Sequence, residues 1–210
     1  MEHILGLGLA YLAFIGAVMA PGPDLLITMR NALGYSARAG IFTALGIGCA
    51  LSIHITYCIA GIGIVISQSI LLFNLIKWAG AAYLIYVGIH ALRSKGTDLS
   101  KKEVTKDLSA ATKSDRTAFV NGFITNLFNP KATLFFLALF SQMIAPSIPL
   151  QYIIAFGAAC MVTSFVWFSG VSIIMGIQKI RRAYAKASQN IDRVFGAIFI
   201  ALGIKIALTR

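Results

Sequence analysis

The chain has 210 residues, 58% hydrophobic and 12% charged, with a formal net charge of +11 and a mean hydropathy of +0.82. An ordinary soluble domain carries about twice that charged fraction, so a water-soluble enzyme is excluded and a membrane protein is expected. The basic excess does not indicate nucleic-acid binding, because no soluble recognition fold accompanies it.

Six apolar segments follow one another, at 4–28, 39–66, 70–92, 117–141, 150–175 and 193–209. Runs this long without polar alternation predict helices rather than a barrel, giving an all-α polytopic membrane protein with six transmembrane helices. The first segment is expected to stay in the mature chain. Met1-Glu2-His3 is not a basic leader, and Pro21 follows Ala20 where a cleavage site would stand.

Near its end the first segment carries Pro21-Gly22-Pro23-Asp24. The prolines deprive the carbonyls of Ala17 and Met19 of their helical partners, and Gly22 loosens the same turn, so a break is predicted beside a carboxylate. Asp24 is the only acid between Glu2 and Asp98. It stands six residues, roughly 9 Å of helix, from Arg30. Two readings fit it: a site for a substrate ammonium or coupling proton, or an interfacial carboxylate paired with Arg30 or Arg38.

The second segment lies in a run of 38 residues without Asp, Glu, Lys or Arg, between Arg38 and Lys77. His54 and Tyr57 share one of its faces and are candidates for lining a polar pathway; with no second histidine or nearby acid, a metal site is not expected. In the third segment Lys77 and Trp78 read as interface anchors, as does Lys205 in the sixth. Small residues such as Gly40, Ala44, Gly48, Gly80, Ala81 and Ala82 allow close helix packing.

The fourth segment holds a second break, in Asn126-Leu127-Phe128-Asn129-Pro130-Lys131. Asn126 and Asn129 lie about 15 and 20 Å of helix rise beyond Arg116, inside the membrane and on nearly one face. Pro130 frees the Asn126 carbonyl. The pair could hold the two ends of a small zwitterion or serve as interhelical glue. Lys131 could attract a substrate carboxylate, pair with Asp24 or snorkel outward.

Fourteen of the 18 basic residues lie in the first, third and fifth connections, whereas the second and fourth contain none. The positive-inside tendency makes the odd connections cytoplasmic, with both termini outside, and favours contact with anionic lipids. The polar stretch 93–116 is the expected cytoplasmic linker between a first three-helix half, 1–92, and a second, 117–210. Three helices per half put the halves in opposite orientations, the inverted-repeat plan of three plus three with helices 1 and 4 broken at their proline motifs. Cys49, Cys58 and Cys160 form no ligand cluster and read as core residues. No hydrolase elbow, P-loop or dinucleotide fingerprint occurs, so neither cofactor nor direct ATP use is expected.

The order Pro21-Gly22-Pro23-Asp24, Arg38-Ala39-Gly40, Gly46-Ile47-Gly48, Gly80-Ala81-Ala82-Tyr83-Leu84 with Gly88, and then Gly122, Asn126 to Lys131 and Phe135-Phe136, resembles the LysE/RhtB family of bacterial amino-acid exporters, in particular its homoserine, threonine and leucine efflux branch. The resemblance implies export of amino acids, neutral ones such as threonine, homoserine or leucine foremost, across the bacterial inner membrane, driven by the proton motive force. The rival expectations are a passive small-solute or cation pathway, a membrane accessory subunit, or an intramembrane enzyme. A homodimer is compatible with this reading, although no stretch of sequence marks its interface.

Overall fold

The computed structural model describes residues 2–95, 114–143 and 148–208, so most of the linker and part of the fourth connection lie outside the described residues. The described chain is helical throughout. In chain order the helices are α1 (Glu2–Met19), α2 (Pro23–Gly34), α3 (Ala37–Gln68), α4 (Ile70–Leu92), α5 (Asp115–Leu127), α6 (Pro130–Met143), α7 (Leu150–Ile174) and α8 (Gln178–Leu208). Their outer surface is apolar: Leu71, Trp78, Val162 and Val166 are 69%, 59%, 63% and 62% exposed. In water that belt would be costly, and in lipid it is the expected outer face.

Both proline motifs break their segments. α1 and α2 meet at 46°, and α5 and α6 meet at 55°. α3 and α7 each contain a stretch long and apolar enough to cross a membrane; counting each bent pair as one span gives up to four crossings on that criterion. Lys77 is buried in α4 rather than displayed at an interface, while its neighbour Trp78 is exposed.

The fifth connection departs from expectation. The charge pattern puts the basic residues from Lys179 to Arg193 in a loop, yet α8 begins at Gln178 and runs for 31 residues, about 46 Å against a hydrocarbon thickness of about 30 Å. The basic stretch is its first turns. Arg181 is buried there, donating to the Met175 carbonyl at 3.1 Å. Asp192, also buried, accepts from the Ser94 hydroxyl at 2.6 Å.

Helix crossings are set by glycines that bring backbones together. A Cβ at Gly46 of α3 would lie 2.1 Å from the Phe119 carbonyl oxygen, and one at Gly122 of α5 would lie 2.1 Å from the Thr43 carbonyl oxygen. On the other flank, α4 and α8 meet at Gly88 and Gly196, where an added Cβ would come within 2.6 and 2.7 Å of the opposite glycine's carbonyl oxygen. Two apolar clusters fill the interior. One is centred on Phe14, Phe136, Phe140 and Phe199, with Cys58 and Cys160 buried in it. The other is formed by Leu25, Met29, Ile47 and Phe168.

Candidate functional site

A cavity of about 40 Å³ opens where these two clusters meet, at the two helix breaks. At roughly 10–15 Å³ per water centre it has room for about three waters. Its polar wall comes from Asp24, Asn126, Asn129, Lys131 and Ser164, and its apolar wall includes Phe14, Phe135, Phe136 and Phe168.

Local sequence explains why the polar groups converge. α2 and α6 both begin with a proline at their first position, where the missing N–H costs nothing. Both half-helices therefore start at the cavity. Asp24 sits in the first turn of α2, where the helix dipole favours a carboxylate. Asn129 caps α6, its side-chain oxygen accepting from the Lys131 amide at 3.0 Å. Lys131 itself stands in the first turn of α6, where the same dipole disfavours a cation. The nearby Asp24 carboxylate offsets that repulsion by direct electrostatic attraction.

The two breaks are joined through Asp24. Its Oδ2 accepts from Asn126 Nδ2 at 3.0 Å and from Asn129 Nδ2 at 3.1 Å. Because a carboxylate only accepts, these bonds fix which end of each amide points at it. Asn126 and Asn129 are 2% and 4% exposed. Asp24 Oδ1, Asn126 Oδ1 and the Ser164 hydroxyl are buried without a hydrogen-bond partner. Two acceptors, one hydroxyl and one ammonium are thus available around one small space. Arg38 is not Asp24's partner; it pairs with Asp115 at 2.8 Å.

His54 and Tyr57 stand behind the wall rather than on it. His54 is buried, its Nε2 donating to the Asn126 carbonyl at 3.1 Å. A carbonyl only accepts, so Nε2 carries a proton, and in the neutral ring Nδ1 accepts from the Tyr57 hydroxyl at 2.7 Å. Of the helix-break residues, Gly22 and Pro23 line the cavity, and Gly22 leaves space beside the Lys131 ammonium, which an added Cβ would meet at 3.5 Å. Pro21 and Pro130 shape the chain without lining it. Sequence reasoning missed Ser164, one serine among many in apolar segments, and the aromatic wall, because neither carries a local anomaly.

Among known proteins, the family model described as "LysE type translocator" matches residues 15–210. A homoserine/homoserine lactone efflux protein of Salmonella typhimurium is 32% identical over 197 residues, 91% of each chain. A threonine efflux protein of Escherichia coli K12 is 29% identical over 198 residues, 93% of this chain and 94% of its own. An uncharacterized membrane protein of Bacillus subtilis is 29% identical over 196 residues, 91% of this chain and 93% of its own. No solved structure matches.

Proposed function

The chain belongs to the LysE-type translocator family, and we propose that it exports small neutral amino acids, those with a side-chain hydroxyl such as threonine and homoserine foremost, across the bacterial inner membrane in exchange for protons. The observation that carries this reading is the pair of unpartnered buried acceptors, Asp24 Oδ1 and Asn126 Oδ1, on the same cavity wall as Lys131. An ammonium needs acceptors and a carboxylate needs a cation. A zwitterion supplies both partners at once and ends the desolvation cost of the unpaired groups. Ser164 adds a hydroxyl that a substrate side-chain hydroxyl would satisfy. The named activities of the relatives, threonine and homoserine efflux, agree with this chemistry.

In the mechanism, the substrate amine and a proton alternate on Asp24, while Lys131 receives the carboxylate. A space for about three waters does not hold an amino acid, so binding widens the cavity, and the two three-helix halves rock about it in an inverted-repeat arrangement of six spans. The basic connections face the cytoplasm and both termini lie outside. Efflux of a panel of neutral and basic amino acids from preloaded cells, with and without a proton gradient, tests this. Asp24→Asn is expected to abolish gradient-driven efflux while protein abundance in the membrane is preserved. Unchanged export by that variant refutes the role of Asp24, and substrate that only equilibrates marks a passive pathway instead.

A further inference from the structure

Each proline that starts a half-helix also removes an amide donor and opens a main-chain carbonyl four residues earlier. For Pro23 that carbonyl belongs to Met19, and for Pro130 to Asn126. Each receives a side-chain donor from a distance, the Asn126 carbonyl alongside the backbone N–H of Asn129. The Tyr184 hydroxyl of α8 donates to the Met19 carbonyl, and His54 Nε2 of α3 donates to the Asn126 carbonyl. The donors come crosswise: the break of the first half is closed by a residue of the second half, and the break of the second by a residue of the first.

We propose that His54 and Tyr184 are positioning residues, a reciprocal pair of caps through which each half sets the register of the other half's broken helix, so that Asp24 and Asn126 meet. Asn126 links cap to site directly, its carbonyl held by His54 while its side-chain amide holds Asp24. The other lone-pair position of that carbonyl accepts from the Asn129 backbone N–H at 3.0 Å, which tightens the turn leading into α6. His54 is itself fixed on three sides, by Tyr57, by the carbonyl, and by stacking at 8° on Phe136, a cavity residue. Tyr184 packs against the Leu25 and Met29 cluster, so its ring is anchored where α2 begins. A slide of one half past the other by about 1 Å carries both donors out of reach of their carbonyls, because hydrogen bonds weaken steeply beyond their optimum. The caps therefore report the relative position of the halves. The transport consequence rests on the function proposed above, whereas the caps themselves rest on geometry alone.

The test uses the purified full-length protein in lipid nanodiscs, comparing amide hydrogen exchange in the wild type, His54→Phe, His54→Gln and Tyr184→Phe. Each Phe variant keeps a ring and removes a donor. The expected result is a rise of about tenfold in exchange at residues 126–131 in His54→Phe with residues 19–26 unchanged, and the reverse in Tyr184→Phe. His54→Gln, whose amide nitrogen can stand where Nε2 stands, is expected to restore the wild-type pattern. In inside-out vesicles with threonine, His54→Phe is expected to raise the half-saturating concentration about tenfold, with the maximal rate per molecule changed less than twofold and His54→Gln near wild type. Unchanged exchange at either break, an even rise along the whole chain, or a Gln variant as impaired as the Phe variant would each overturn the proposal. Exchange requires no substrate, so the two readings fail separately. Asp24→Asn with full export and an intact exchange pattern removes the transport role and keeps the caps. Asp24-dependent export with no exchange change in either Phe variant does the opposite.

Discussion

Gly122→Ala adds one methyl group where two backbones touch. The new Cβ would stand 2.1 Å from the Thr43 carbonyl oxygen, whereas ordinary contact begins at 3.4 Å, so α3 and α5 must separate by about 1 Å. Overpacking of this kind costs about 1–3 kcal/mol, and the gain in helix propensity over glycine returns at most about 1 kcal/mol. A net loss of about 1–2 kcal/mol is expected. The displacement also reaches the site, because Asn126 stands one turn beyond Gly122 and its 3.0 Å bond to Asp24 would stretch out of hydrogen-bond range. Gly46→Ala, which meets the Phe119 carbonyl oxygen at 2.1 Å, should behave alike. Gly48→Ala, two residues along the same helix with nothing within 4 Å of its added Cβ, keeps the gain in helix propensity and should be as stable as wild type or up to about 1 kcal/mol more stable. Denaturant titration in mixed micelles, followed by tryptophan fluorescence, ranks the three. If Gly46→Ala and Gly122→Ala prove as stable as Gly48→Ala, the backbone contact does not set this crossing.

Lys131→Met keeps the stem and removes the ammonium, and should weaken amino-acid binding by roughly 100-fold, as expected for losing a buried charged partner; calorimetric titration with threonine checks it. Ser164→Ala should reduce the preference for threonine over valine by about tenfold in competition efflux, with valine transport retained. Arg38→Ala removes an ion pair whose side chains are 74% and 36% exposed. It should change stability by less than about 1 kcal/mol and leave efflux intact, as measured by the same denaturant titration and efflux assay.

Much of this architecture was legible because it departs locally from a uniform apolar background. A proline or a carboxylate inside such a run stands out, so Asp24, the asparagine pair and Lys131 could be singled out one by one. Their convergence on one another is a long-range fact, and no spacing rule reports that residues 102 positions apart share a hydrogen bond. Ser164 was hidden because serines are ordinary in such segments. The first half of α8 has the sequence look of a loop for a different reason: its dense charge is the usual mark of a connection. Yet Gln, Lys, Arg and Ala are strong helix formers, and Arg181, Ser188 and Asp192 bury a polar face that a hydrophobic pattern does not detect. The same residue identities gave no hint that Tyr184 would close a carbonyl of α1, since that demand is created by Pro23, far upstream.

The pairing of α4 with α8 has a bearing on how the protein is made. Gly88 and Gly196 touch through their backbones, but 107 residues lie between them in the chain. At roughly 5–20 residues per second, the ribosome needs about 5–20 s to supply the second after the first. Until then the α4 face around Gly88 and the Met19 carbonyl both lack the partners they have in the folded protein. That contact waits for α8, and a nascent chain stalled before α8 would expose the small-residue seam around Gly88 that the folded protein covers.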